Sequence, residues 1–218
     1  MEKDLDNVEI DTKLFDLMRV ISGVNYSPVL QYVLQEKNIW YALSGESAVK
    51  IEDYTCFMAG TEDERILNHQ NFYSFSLLSS QAIKERKIKG SISDDITPEI
   101  RIEYPKSLFE KPVLLFNDNF DKIKYNCRLT RAIMHYFARL KFSDISFDYL
   151  SRRKIFELLD NYSGWTLQIT QRNKTDKVTT TLRAVHIDGY RKITLLLTPS
   201  ILDHESVEEE TEVKNEDS

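Results

Sequence analysis

Four side chains between residues 128 and 142 could together bind phosphate groups. If the stretch RLTRAIMHYFARLKF forms an α-helix, its rotation of about 100° per residue places them in one narrow stripe: Arg128, Arg131, His135 and Arg139. A guanidinium group is a rigid, planar donor that matches phosphate oxygens, so the stripe predicts contact with a nucleic-acid backbone. A solvated helix face is the alternative interpretation, because exposed helix faces are commonly charged.

A second basic cluster lies in a short helix predicted from Ser79 or Ser80 to Lys89. Its four cations are Lys84, Arg86, Lys87 and Lys89. They would lie near the C-terminus of the helix, where cations interact favourably with the helix dipole. A solvated face therefore explains this cluster at least as well as a second phosphate-facing surface does.

A third basic cluster, Arg152, Arg153 and Lys154, lies in the first turns of a helix predicted to end at Asp160. Cations oppose the positive end of the helix dipole by about 0.3 to 1 kcal/mol each. Basic residues at this end of a helix indicate a functional demand, and we include all three among the candidate DNA-binding residues.

The histidines, cysteines and carboxylates form no catalytic or metal-binding signature in the sequence. The four histidines, at positions 69, 135, 186 and 204, are scattered and have no His-Glu-x-x-His motif or carboxylate pair beside them. Cys56 and Cys127 lack the spacing of a zinc site or a disulfide framework. We therefore expect no enzymatic activity, no cofactor and no metal, and a reducing compartment.

The composition is that of a folded protein, and its negative charge lies mainly near the C-terminus. Of the 218 residues, 41% are hydrophobic and 29% are charged, which is enough for a real core. The formal net charge is -6, but the stretch 203–218 alone contains eight acidic residues and one Lys. The body is therefore close to neutral, which argues against indiscriminate coating of nucleic acid and leaves room for a local basic surface. No window approaches the ~20 apolar residues of a membrane-spanning helix, so we expect a cytoplasmic protein without membrane contact.

Periodicity predicts an α+β fold with mainly antiparallel sheets and about four helices packed on one side of each sheet. A first helix should run from Asp11 or Thr12 to Ile21, with Gly23 as a left-handed cap. The predicted strands cover 8–10, 29–34, 39–43, 48–54, 72–78, 91–93, 99–104, 113–116, 122–126, 165–170, 178–187 and 192–198. We expect an N-terminal α+β domain over 1–105, a C-terminal α+β domain over 106–200, and a disordered acidic tail over 201–218. That tail could compete with DNA for the basic side chains at low salt.

The order of these elements resembles a known family. The stretches 14–45 and 154–183 share the order helix, Gly or Asn stop, antiparallel strands, and 73–104 could be a third copy. In this the chain resembles the sliding-clamp (processivity factor) family, and ISFDYLSRRKIFELLDNYSGWTLQIT is similar to a clamp half-domain. The resemblance implies a homo-oligomer that forms a ring around double-stranded DNA and binds the DNA phosphates through basic helices. It also implies a role in DNA replication or transcription, together with a polymerase or another protein partner. It also places Arg152, Arg153 and Lys154 where that family has basic residues that face DNA.

Two other classes remain open on the sequence. Adjacent helices at 128–142 and 148–160, followed by a hairpin over 165–187, are typical of a winged helix with its wing at 172–177. The basic stripe could instead bind an acidic protein, which would make the chain a protein-protein adaptor.

Overall fold

The computed structural model describes residues 12–23, 28–53, 70–74, 97–110, 123–140, 145–146, 149–174, 177–198 and 200–201. Several expectations lie outside these ranges: the strands at 8–10, 91–93 and 113–116, the basic cluster Lys84, Arg86, Lys87 and Lys89, and nearly all of the acidic tail.

Five α-helices and ten strands are described. The helices are α1 (Thr12–Ser22), α2 (Pro98–Glu103), α3 (Ser107–Glu110), α4 (Leu129–Leu140) and α5 (Tyr149–Leu159), and a 3₁₀ helix covers Pro28–Gln31. The strands are β1 (Tyr32–Glu36), β2 (Ile39–Leu43), β3 (Ser47–Asp53), β4 (Gln70–Ser74), β5 (Ile123–Arg128), β6 (Ile145–Ser146), β7 (Ser163–Lys174), β8 (Lys177–Asp188), β9 (Arg191–Leu197) and β10 (Ser200–Ile201).

Eight of the strands form one antiparallel sheet in the order β4-β1-β2-β3-β9-β8-β7-β5, and β6 pairs separately with β10. The predicted α+β class with antiparallel pairing is confirmed. The centre of the sheet is the β3–β9 pair, which runs from Ser47 opposite Leu197 to Asp53 opposite Arg191. The described parts of the two predicted domains therefore form one sheet across the boundary at residue 105.

Three helices, α1, α4 and α5, pack on one face of this sheet. In α1 the apolar side chains recur at helical spacing, and Leu14, Leu17, Met18 and Ile21 are all buried. The strands alternate, so that Trp165, Leu167 and Ile169 of β7 face the same core. Because this core draws on α1 and β1–β3 as well as α4, α5 and β7–β9, it is shared by both halves of the chain.

The opposite face has a smaller apolar cluster over β1, β2 and β4. Leu34, Tyr41 and Phe72 are buried there beneath Tyr104 and Phe109. The Tyr104 hydroxyl donates a hydrogen bond to the Tyr41 carbonyl at 2.8 Å, which ties the segment after α2 to the sheet. The expected layer of about four helices on one side is therefore corrected: three described helices lie on one face, and the α2–α3 segment covers part of the other.

Two local predictions are wrong for identifiable reasons. The strand expected at 99–104 is helical, because Pro98 occupies the first position of α2, where its fixed φ and missing N–H suit a helix start. Gly23 is not in the left-handed region. Its N–H donates to the Arg19 carbonyl at 2.9 Å, and a Cβ at this position would lie only 2.7 Å from that oxygen. A close approach of backbone, rather than a positive φ, is what favours glycine there.

Candidate nucleic-acid interface

The outer surface of the three-helix layer is rich in cations. Together α1, α4 and α5 contain seven Lys or Arg residues and only two carboxylates. Their apolar sides pack on the sheet, so most of these charges are exposed, although the chain as a whole has a formal net charge of -6. The outer side of these three helices therefore carries an excess of positive charge that is available to a polyanion.

Helix α4 has the predicted amphipathic character. Leu129, Ala132, Ile133 and Tyr136 are buried, whereas Arg131, His135 and Arg139 are exposed. The rotation of the helix is set from within the core, because the buried Ile169 N–H of β7 donates to the Tyr136 hydroxyl at 2.9 Å. On the outside, Arg131 Nε donates to His135 Nε2 at 3.3 Å. The structure thus brings three of the four predicted stripe residues together on one exposed face.

Arg128, the fourth residue of the predicted stripe, lies on a different element. It is the last residue of β5, immediately before α4 begins at Leu129, and it is exposed. It lines an open cleft of about 430 Å³ together with the end of α5 and the start of β7, where the other lining residues are Glu157, Asp160, Asn161, Tyr162 and Ser163. Its guanidinium group has no hydrogen-bond or ion-pair partner among the residues that the structure describes.

Arg152 lies in the interior, so the exposed surface predicted for it needs correction. Its residue exposure is 4%, and its Nη2 donates to the Thr198 carbonyl at 2.6 Å and to Glu46 Oε2 at 3.1 Å. The reason is helical spacing: residue 152 precedes the buried Ile155, Phe156 and Leu159 by three, four and seven positions. That spacing was visible in the sequence and could have identified Arg152 as an inward-facing residue.

The two neighbours of Arg152 face outward. Arg153 is 67% exposed and pairs with Glu157 one turn later, at 2.6 Å. Lys154 is exposed and has no hydrogen-bond or ion-pair partner within the described ranges. The basic cluster of α5 therefore contributes two surface cations rather than three.

Helix α1 supplies two cations that the sequence reasoning did not select. Lys13 Nζ donates to Asn161 Oδ1 at 2.9 Å, which joins the start of α1 to the end of α5. Arg19 pairs with Asp16 at 2.6 Å. The available signal was the polar side of an otherwise clear amphipathic helix, on which Asp16 lies between the two cations.

Tyr125 of β5 lies beneath the exposed face of α4. Its ring is parallel to that of His135, at an interplanar angle of 10° and a centroid distance of 6.4 Å. Burial raises the pKa of the Tyr125 phenol, and the nearby Arg139 guanidinium opposes that rise because it favours the phenolate. An aromatic pair therefore lies within the basic surface of α4.

Within the described ranges, no group of three or more His, Cys, Asp or Glu side chains is placed to hold a metal ion. None of the helices described is both long and apolar enough to cross a membrane.

Comparisons of the chain with protein-family models, with curated proteins and with solved structures found no significant match.

Proposed function

We propose that this protein is a non-enzymatic, clamp-like DNA-associated factor whose helical layer faces the phosphate backbone of duplex DNA. The observation that carries the proposal is the excess of cations on α1, α4 and α5 in a chain that is acidic overall. Charge placed on rigid helices binds phosphates without reading sequence, which is what a factor that moves along DNA requires.

The order of strands supports a clamp-like architecture. Each half of the sheet has an outer strand followed by three strands that are consecutive in its described order. In one half β4 is followed by β1, β2 and β3, and in the other half β5 is followed by β7, β8 and β9. Helix α1 precedes the first set of three and α5 precedes the second, and these two helices pack against each other. Two helix-plus-three-strand units that meet at β3 and β9 agree with the repeat that the clamp resemblance implies.

The edges of the sheet support association of copies into a ring. Neighbouring strands in the described sheet are all antiparallel, so its two outermost described strands, β4 and β5, run in opposite directions. The β5 edge of one copy could therefore pair in antiparallel fashion with the β4 edge of the next. Such a head-to-tail contact produces a closed ring when its rotation closes, and a chain of 218 residues needs several copies to surround DNA.

The winged-helix alternative has less support. The base of the β7–β8 hairpin is part of the eight-stranded sheet, because β7 also pairs with β5 up to Leu167 and β8 with β9 from Leu182. Beyond this base, from residues 170 and 181 to residues 174 and 177, the two strands pair with no other described strand, so only the base of the hairpin argues against a wing. A protein of that class would still be recognised by a preference of ~4 to 10 kcal/mol for particular sequences over nonspecific DNA.

Two measurements test the proposal. Light scattering of the whole protein should find a closed oligomer at micromolar concentration, and a monomer would exclude the ring. In binding titrations with duplex DNA, the double variant Arg131→Glu, Arg139→Glu should flatten the slope of log affinity against log salt by ~2 units, about one per lost phosphate contact.

The matched control reverses two exposed cations outside the helical layer, Arg101 in α2 and Lys37 in the β1–β2 turn. That double variant, Arg101→Glu, Lys37→Glu, changes the net charge by the same amount and should leave the slope unaltered. Equal effects of the two double variants would mean that the binding reflects only total charge. Binding of the wild type to an acidic protein but not to DNA would favour the adaptor.

A further inference from the structure

We propose that His135 is a stacking site for an unpaired nucleobase, so that α4 binds single-stranded nucleic acid as well as the duplex backbone. This inference rests on the proposed function and names a second form of its ligand. The juxtaposition that motivates it is an exposed, oriented imidazole ring between two arginines on the same helix face.

The ring of His135 is supported from beneath. It stacks on Tyr125 at an interplanar angle of 10°. Tyr125 in turn packs edge-on against the fully buried Tyr136, with 6.3 Å between ring centroids and an interplanar angle of 87°. A chain of aromatic contacts therefore runs from the core to the surface, although the two parallel rings are offset, with 6.4 Å between their centroids.

A hydrogen bond fixes the orientation of the imidazole within its plane. Arg131 Nε–H donates to His135 Nε2 at 3.3 Å. Arg131 uses only Nε in this contact, and its two terminal nitrogens have no partner among the described residues. They are available to a phosphate while the ring is held in place.

A second cation completes the arrangement. Arg139 lies one helical turn beyond His135, just as Arg131 lies one turn before it, which corresponds to a rise of about 6 Å on each side. Arg139 makes no hydrogen bond or ion pair with any residue in the described part of the chain. A base stacked on His135 would therefore have a guanidinium group on either side for its flanking phosphates.

Stacking distinguishes an unpaired strand from a duplex. Within a duplex the faces of the bases are covered by their neighbours, and only phosphates and groove edges are offered to a protein. In single strands the base faces are available, and proteins that bind them combine cations with aromatic side chains. An oriented imidazole between arginines fits that second combination, whereas a surface for duplex phosphates alone needs no ring.

The test compares oligothymidine with a duplex of equal length by fluorescence anisotropy at one salt concentration, with the full chain. Replacement His135→Ala should weaken binding of the single strand about tenfold, an effect typical of removing one stacking side chain, and change duplex binding less than twofold. His135→Phe should restore most of the loss, because a phenyl ring keeps the stacking face without the hydrogen bond. Met134→Ala, which truncates a neighbouring side chain that is 68% exposed, should change neither.

The outcomes separate the two proposals. If His135→Ala lowers affinity for both ligands equally or for neither, or if His135→Phe binds as weakly as His135→Ala, the stacking site is excluded while the basic face stands. If the wild type binds neither ligand, or if Arg139→Glu leaves the affinity for both unchanged, the proposed function itself fails.

Discussion

The carboxylate of Asp160, just after α5, accepts hydrogen bonds from both the backbone N–H and the hydroxyl of Thr130, at 2.9 and 2.8 Å. Thr130 lies in the first turn of α4, where backbone N–H groups have no partner within the helix. A residue thirty positions later in the chain therefore acts as the N-terminal cap of α4, and its negative charge also suits the positive end of the helix dipole. This contact couples the two helices that carry most of the exposed cations.

Removal of this cap should destabilise the fold. Asp160→Ala is expected to lower the free energy of unfolding by about 1 to 2 kcal/mol, the range measured for loss of a capping side chain. Chemical denaturation would measure it. Glu157→Ala, which removes a carboxylate that is 52% exposed in the same region, should cost less than about 1 kcal/mol. A double-mutant cycle with Thr130→Val should show coupling between the two residues, and additive effects would contradict the capping role.

Arg152 and Arg153 are adjacent in sequence but should behave oppositely on substitution. Arg152→Ala removes a buried guanidinium group with charge-assisted hydrogen bonds to Thr198 and Glu46, so we expect a loss of about 1.5 to 3 kcal/mol in the free energy of unfolding. Arg153→Ala breaks an exposed pair with Glu157 and should cost less than about 1 kcal/mol. Urea denaturation of both variants provides the comparison, and similar values would argue against the structural role of Arg152.

The stability of the β1–β4 edge should depend on pH through Glu36. A hydrogen bond from Gln70 lowers the pKa of the Glu36 carboxyl, burial partly opposes this, and Lys106 lowers the pKa further. Because the folded-state pKa is depressed, the stabilisation is fully present above the ordinary value of about 4.3 and is lost as pH falls through the folded-state value. The side chain is partly exposed, so the contribution should stay below about 1 kcal/mol.

That contribution can be isolated with two substitutions. Glu36→Gln should reduce the fall in unfolding free energy between pH 6 and acidic pH, and Lys106→Met should reduce it in part, since Gln70 still donates to the carboxylate. Denaturation curves at several pH values measure the difference from the wild type. An unchanged pH dependence in Glu36→Gln would show that other carboxylates account for the acid sensitivity.

Two glycines in turns should respond differently to alanine. Gly164, near the start of β7, has φ of 85°, a conformation in which a Cβ is strained although no atom lies within 4 Å of it. Gly164→Ala should therefore cost about 1 to 2 kcal/mol. Gly45, in the β2–β3 turn, also has open space around its Cβ position but no positive φ, so Gly45→Ala should be neutral or slightly stabilising. Because neither position has a steric clash, the difference between the melting temperatures of the two variants would report backbone strain alone.

Local sequence patterns determined much of the secondary structure. Leu14, Leu17, Met18 and Ile21 recur at helical spacing, and Trp165, Leu167 and Ile169 alternate as in a strand; both segments form as predicted. The amphipathic character of α4, with Arg131, His135 and Arg139 on its exposed side, was also readable from the chain alone. These features depend on the geometry of a single helix or strand, whose period is visible in neighbouring residues.

Tertiary structure alone decided which distant segments meet. The pairing of β3 with β9 joins two regions that look like separate domains in the sequence. Local periodicity cannot reveal this pairing, because the hydrogen-bonded partners are more than a hundred residues apart. The same holds for Asp160 as the cap of α4 and for Tyr125 as the support of His135, since a side chain's partner is set by how whole elements pack. Arg152 is intermediate, because its inward direction follows from helical spacing. Its partners Glu46 and Thr198 lie at one end of the sheet's central strand pair, just before β3 and just after β9, and only packing brings them to the helix.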